Sequence, residues 1–476
     1  MELIMSEEII KLIDLVEQSV IYSHGRVIIT DRIKLQKKIK RWVELSTLGS
    51  GALQGLARFL VRLVAHEMGI FPASIHELYK ARGRGEIDHT FTVPAMNLRV
   101  LSFEAARAAF SAARSLNSAA IIFEIARSEM GYTSQRPLEF STNVLAAAIA
   151  EDFNGPVFIQ GDHFQISAKR YSVDPDAEMN SIKDLIREAI AAGFYNIDID
   201  TSTLVDISKD DIKEQQRLNV ELSSYFYNFI RENQPEGVTI SVGGEIGEVG
   251  GRNSTAEELR IYLNGFNKVV KVKDHGFSGL SKISIQTGTS HGGIVLPDGS
   301  IAQVKVDFET LRNLSRISRS EFGLGGTVQH GASTLPEDAF GKFMEYEAIE
   351  VHLATSFMNM FYDNAPDDLR RKIYAYLDNN YASERKPDMT DEQFYYKTRK
   401  NAIGPFKEEI LKLPEEFHIK MRTIWKEKFE IIFKLLGLEG TRQIIEKHIH
   451  PVFVKINVGD FLGSDYKKED VGDLAD

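Results

Sequence analysis

No cysteine occurs among the 476 residues. That excludes disulfides, thiolate metal sites and a cysteine nucleophile, and it fits a reducing compartment. No run reaches the ~18 uncharged apolar residues that a membrane span needs; the most apolar helical stretch, residues 51–68, is broken by Arg58, Arg62, His66 and Glu67. The amino terminus, MELIMSEEIIKLIDL, lacks a basic segment leading into an apolar one, so no signal peptide is expected. Lys and Arg never form a block of five, and 57 basic side chains face 68 acidic ones for a net charge of −11. Such a balance argues against sequence-independent binding to nucleic acid. These absences lead to the expectation of a soluble cytoplasmic protein with neither nucleic acid nor membrane as a partner.

What is present is ordinary for a globular chain: 43% apolar and 26% charged residues. Residues 1–88 read as helices only. Ile9, Ile13, Val16 and Val20 recur at helical spacing, as do Leu53, Leu56, Leu60 and Leu63. From residue 90 short apolar runs alternate with helical stretches. The runs are Thr92–Asn97, Ala119–Ile125, Val157–Gly161, Asn196–Asp200, Val238–Gly244, Ile283–Thr287, Gly326–Gln329 and Ala348–Leu353. Eight nearly continuous apolar strands, each followed by a helix, predict a parallel sheet closed into a (β/α)8 TIM barrel of the α/β class. No GxGxxG follows the first run, and the glycine-rich segment 243–251 comes after the fifth, so an open dinucleotide-binding sheet has little support. The chain is divided accordingly into an N-terminal helical extension (1–88), the barrel (89–362), a C-terminal helical segment (363–450) and a tail (451–476), whose polar end, SDYKKEDVGDLAD, is expected to fray. In the third of these, Trp425 and Phe433 anchor a helix over 415–436.

The residues closing the eight runs carry the chemical information. They are Asn97, Glu124, Asp162-His163, Asp200, Glu245, His291, His330 and His352. In a parallel barrel all strand C-termini open onto the face that bears the active site. Four of only 12 histidines stand there, in the contexts GDHF, TSHGG, QHGAS and EVHLA. A single histidine at a strand end is usually a satisfied structural residue. Several converging on one rim with carboxylates form the donor set that Zn²⁺ or Co²⁺ selects. The adjacent glycines, Gly161, Gly292, Gly293 and Gly331, allow close backbone approach and leave N–H groups to face an anion.

The ordered set Pro94-Ala-Met-Asn97, Gly161-Asp-His163, Ile199-Asp200, Glu245-Ile-Gly-Glu-Val-Gly-Gly251, Gly288-Thr-Ser-His-Gly292 and His330-Gly-Ala-Ser333 resembles the class II, metal-dependent ketose-bisphosphate aldolases, the fructose- and tagatose-bisphosphate enzymes. The resemblance spans roughly residues 90–437, with Ala402-Ile-Gly-Pro405 opening its last segment. It implies His163, His291 and His330 as metal ligands and Asp162 as the acid–base group, with Glu245 and Asp200 behind the ligands or on an alternative metal position. The implied metal is divalent, Zn²⁺ first, with Co²⁺ or Mn²⁺ as alternatives and room for a monovalent cation. Retro-aldol cleavage leaves an enediolate on the ketone fragment, which such a cation steadies while a carboxylate takes the proton of the C4 hydroxyl. Adjacent residues of a strand point opposite ways, so Asp162 and His163 are expected past the strand end, in a turn.

The substrate side departs from the resemblance. Val295 stands where the family has a lysine, His352 where it has an asparagine, Ala354 where it has an aspartate, and Asn253-Ser254 where it has an acidic pair. Asn97, Gly292, Gly293, Gly331, Ser333, His352 and Thr355 remain for substrate and phosphate, with Arg252 a further cation. The expected activity is cleavage or formation of a ketose phosphate or bisphosphate, to dihydroxyacetone phosphate plus an aldehyde. Two alternatives stay open: a metal-dependent sugar or sugar-phosphate epimerase, and a non-catalytic aldolase-like partner subunit. Leucine- and aromatic-rich helices at both ends of the barrel predict a homodimer or higher homo-oligomer.

Overall fold

The computed structural model describes residues 2–247, 252–271, 278–288, 306–332, 335–462 and 474. Three short strands, β1 (Val20–Ser23), β2 (Arg26–Ile29) and β3 (Ile70–Ala73), precede eight parallel strands that close a barrel: β4 (Val93–Asn97), β5 (Ile122–Ala126), β6 (Gly155–Gln165), β7 (Asn196–Asp200), β8 (Ser241–Glu245), β9 (Lys282–Ile285), β10 (Thr327–Gln329) and β11 (Glu350–Leu353). Pairing of Glu350 with Val93 and of His352 with Ala95 seals the cylinder between β11 and β4. Helices 102–115, 137–150, 175–192, 217–233, 256–271, 308–322 and 355–364 lie between and after the strands, as the alternating pattern predicts for a (β/α)8 barrel. The strands are covered outside by these helices and filled inside by side chains, so nearly every strand residue is buried.

The first 88 residues correct the expectation of helices only. The helix from Glu2 ends at Leu15, because Glu17 and Gln18 take left-handed backbone angles, φ 53° and 54°. Val20, assigned by spacing to that helix's stripe, instead starts β1. β1 and β2 form an antiparallel hairpin whose central residues, His24 and Gly25, both have positive φ, as a two-residue turn with the strands' own twist requires. β3 runs parallel to the start of β6, pairing Ile70 with Gly155. Four-residue strands carry too little periodicity to stand out beside the 17-residue helix Gly51–Glu67. That helix keeps two arginines buried by giving each a carbonyl: Arg58 bonds Ser46 O and Arg62 bonds Ala192 O.

At the other end, the helix Glu415–Leu435 packs on 102–115 and buries Trp425 and Phe433. The first part of the tail, 451–462, returns to the N-terminal layer. Phe461 is buried edge-on against Phe59 with centroids 5.5 Å apart. Gly55 is needed beneath it, since a Cβ there would lie 2.1 Å from Phe461 O. Residues 463–473 of the tail lie outside the described residues. Among the described residues no helix is long and apolar enough to cross a membrane.

Candidate metal and acid–base centre

Asp162 and His163 sit inside β6, not beyond it, which corrects the expected turn. β6 pairs Gly161 with Ile197 but Phe164 with Ile199, so one extra residue is accommodated in a bulge. His163 takes φ 39°, a left-handed angle uncommon for a residue with a side chain. The bulge cancels the pleat's alternation, so both side chains reach the barrel interior. Gly161 is required at this bend: a Cβ would come within 2.3 Å of the Phe164 ring.

His163 Nε2 lies 3.0 Å from His330 Nδ1 and 3.7 Å from Asp162 Oδ1. The far nitrogen of each ring is held by an oxygen. His163 Nδ1 stands 3.1 Å from Asp200 Oδ2 and 3.3 Å from Glu245 Oε2; His330 Nε2 stands 2.9 Å from Ser284 Oγ. Asp200 is itself fixed by Ser202, through N and Oγ, and by Gln165 Nε2 at 2.6 Å. Oxygen partners behind both imidazoles thus turn their other nitrogens toward each other, the outer arrangement that metal-ligating histidines use. Two nitrogens bound tetrahedrally at about 2.05 Å from a zinc ion sit roughly 3.3 Å apart. The observed pair fits that spacing after small adjustment, and Asp162, His163 and His330 together offer three mutually close donor atoms.

The charges agree with the donors. Burial works against a charge on His163, but Asp162, Glu245 and Asp200 overcome it and raise its pKa well above that of an ordinary imidazole. Burial also works against ionising Asp162, but His163 and His352 hold its carboxyl well below the usual range. Burial, followed by Asp200, pushes Glu245 up. The mouth therefore favours added positive charge, which a divalent cation supplies. Asp162 Oδ2 accepts from Asn97 Nδ2 at 2.9 Å, whereas buried Asp162 Oδ1 has no hydrogen-bond partner among the described residues. Such an atom is one that a cation or a substrate hydroxyl would satisfy.

The other residues singled out in the sequence fall in different places. His291, Gly292, Gly293, Ser333 and Val295 lie outside the described residues. Gly331 follows His330 with φ 70°, and buried Thr355 opens the helix after β11. Asn97 also donates to Glu129 Oε2, so both its contacts brace the centre from within. Around the rim, Asn253 bonds Asp307 and Ser254 N bonds Gln286 O, stitching the loop after β8 to the end of β9, while Arg252 pairs with Glu258.

His352 extends the centre inward. Its ring lies 4.1 Å from that of His330, Nδ1 is 3.1 Å from Glu124 Oε1 and 3.2 Å from Asp162 Oδ1, and Nε2 is 2.6 Å from Glu350 Oε1. Below it a buried polar layer was missed by sequence reasoning. Lys282 Nζ bonds Gln160 Oε1 at 2.8 Å, Asp198 Oδ2 at 2.9 Å and Glu350 Oε1; Tyr79 donates to Glu350 Oε2 at 2.5 Å. The signal was there at a period of two: Gln160/Asp162, Asp198/Asp200, Lys282/Ser284 and Glu350/His352 each place two polar residues on the inner face of an otherwise apolar strand.

Fold and mouth together define a (β/α)8 barrel with a histidine–carboxylate centre suited to a divalent cation. The chain belongs to the class II fructose-bisphosphate aldolase family: the family model described as "Fructose-bisphosphate aldolase class-II" matches residues 86–422. No curated protein matches the chain in sequence. Among solved structures, a fructuronate-tagaturonate epimerase, UxaE, from Cohnella laeviribosi is 12% identical with a TM-score of 0.55, over 89% of this chain and 90% of that one. A probable tagatose 6 phosphate kinase from Sinorhizobium meliloti 1021 is 14% identical with a TM-score of 0.50, over 75% and 99%. A putative fructose-1,6-bisphosphate aldolase from Coccidioides immitis is 17% identical with a TM-score of 0.45, over 77% and 97%. At these identities the likeness is one of fold.

Proposed function

We propose that the chain is a metal-dependent aldolase that cleaves or forms a ketose phosphate, giving dihydroxyacetone phosphate and an aldehyde. The observation that carries this reading is the approach of His163 Nε2, His330 Nδ1 and Asp162 at one barrel mouth. His163 and His330 would hold the ion, with His291 the expected third ligand. When bound, a divalent cation, Zn²⁺ first, supplies the positive charge that steadies a developing oxyanion. Asp162, kept ionised by its neighbours, takes the proton of the C4 hydroxyl as the C3–C4 bond breaks. The bond's electron pair passes to C3, into conjugation with the C2 carbonyl, while C4 becomes the aldehyde carbon. In condensation Asp162 returns the proton. Asn97 keeps the carboxylate aimed, and Asp200 and Glu245 keep His163 facing inward.

The test is turnover of a panel of ketose phosphates by protein with its metal and after chelation. Triose release that vanishes on chelation and returns with Zn²⁺, Co²⁺ or Mn²⁺ supports the assignment; turnover indifferent to the metal overturns it. One observation favours a second reading, epimerisation. His352 gives the centre another proton-handling group 3.2 Å from Asp162. In that case the same panel yields an epimer without free triose.

A further inference from the structure

The mechanism above leaves the polar layer beneath His352 without a task, although it is costly to build. Glu350 and Lys282 are fully buried within the barrel. Burial opposes the charge on each, yet Lys282 and His352 hold the Glu350 carboxyl down to about 2, while Asp198 and Glu350 push the Lys282 pKa up. A buried ion pair adds little to stability compared with apolar residues of the same volume, so its geometry is the better guide to its use. Both oxygens of Glu350 are engaged: Oε1 by Lys282, by Gln160 Nε2 at 2.9 Å and by His352 Nε2 at 2.6 Å, and Oε2 by Tyr79. Lys282 is tied in turn to Asp198 on β7 and Gln160 on β6. Glu350 thus has one orientation. The ring it grips presents its opposite nitrogen, Nδ1, to Asp162 and Glu124, and that nitrogen has no hydrogen bond of its own among the described residues.

We propose that Glu350, clamped by Lys282 and Tyr79, is a positioning residue that fixes the His352 ring so that Nδ1 stands against the Asp162 carboxylate. A carboxylate behind an imidazole sets which edge of the ring works and at what angle. Here the carboxylate is two residues back on the same inward face of β11, so strand geometry sets the spacing. Asn97 donates to Asp162 Oδ2, and His352 Nδ1 stands 3.2 Å from Oδ1.

The proposal rests on the aldolase reading for its kinetic arm, but its spectroscopic arm does not. Glu350→Gln, Lys282→Met and the milder Tyr79→Phe are compared with the full-length metal-loaded protein. In Glu350→Gln, kcat on the ketose phosphate turned over is expected to fall about 10–100-fold, with KM within about twofold and the metal stoichiometry unchanged. Glu350→Asp should recover part of the loss, and Tyr79→Phe should lose only a few-fold. In ¹⁵N-labelled protein, the low-field Nε2–H signal assigned by its loss in His352→Asn should move in Glu350→Gln. An unmoved signal, an unchanged kcat, or loss of metal in parallel with kcat overturns the proposal. Should the wild type turn over no ketose phosphate, the function reading fails, and the His352 signal in Glu350→Gln and Tyr79→Phe still decides the positioning role.

Discussion

At the barrel mouth His163 and His352 each stand among carboxylates, which raise both pKa values against the opposing effect of burial. In the shell around the barrel, His66, His76, His89 and His418 are also buried to varying degrees, but there burial prevails and lowers the pKa, to about 3 for His66 and about 4 for His89. Their charged neighbours are mainly cations: Arg62 beside His66, Arg231 and Lys80 near His76. His418, the last of the four, feels Lys40 first and Glu104 second. The same side chain is therefore prepared for positive charge in one region and for neutrality in the other, and the surroundings separate a candidate ligand or proton carrier from a packing residue.

The sharpest way to break this comparison is to remove one histidine from each region. His330→Ala takes away one of the two facing nitrogens, and is expected to abolish stoichiometric metal binding and lower turnover by on the order of 10³-fold. His66→Gln should leave both at wild-type levels at pH 7.5. Metal analysis of the purified proteins with parallel turnover assays reads the two effects, and equal losses in both variants would erase the distinction.

Asp162→Asn separates the acid–base group from the ligands. The amide cannot take a proton, so kcat should fall about 10²–10⁴-fold while the protein still binds one equivalent of metal. If metal is lost in proportion to activity, Asp162 is a ligand and not the base. A smaller effect is expected from Asp200→Asn, which weakens the grip on His163 Nδ1 without touching Nε2. Metal affinity should drop about 10–100-fold, measured by competition with a chromophoric chelator, and activity should return at saturating metal.

Much of this arrangement was legible in the sequence because the barrel's strands are short apolar runs separated by helices of usual length. All eight runs overlap the strands that form, and β7 is matched residue for residue. Among the described residues, those closing the other seven runs lie toward one mouth, since parallel strands leave no other place for their C-termini, while His291 lies outside the described residues. Three features were not legible. The hairpin β1–β2 hid within a helical pattern because Val20 sits where the next turn of helix would place it. The bulge at His163 cannot be read from periodicity, because an extra residue changes the facing of its neighbours without changing their identity. The layer of Gln160, Asp198, Lys282 and Glu350 is masked because its polar residues alternate with apolar ones in short strands whose overall character is apolar.

The last and smallest expected effect concerns the neutral histidines alone. His66 packs between Phe71 and Phe453, with ring centroids at 5.5 and 5.0 Å, and accepts from Arg62 Nε at 3.2 Å. Its folded pKa of about 3 lies below the ~6.5 of a solvated imidazole, so the unfolded chain takes up the proton first. The stability owed to neutral His66 is therefore complete above about pH 6.5 and is lost as the pH falls toward 3, at up to about 1.4 kcal/mol per unit. His66→Gln keeps an acceptor for Arg62 but has nothing to titrate. Between pH 7.5 and pH 5.0 the wild type should lose about 2 kcal/mol more than the variant, measured by denaturant unfolding of both proteins in matched salt. Carboxylates common to the two proteins cancel in that difference. Parallel stability curves would mean that His66 is as readily protonated as a surface histidine, and the contrast between shell and mouth would then lose its shell side.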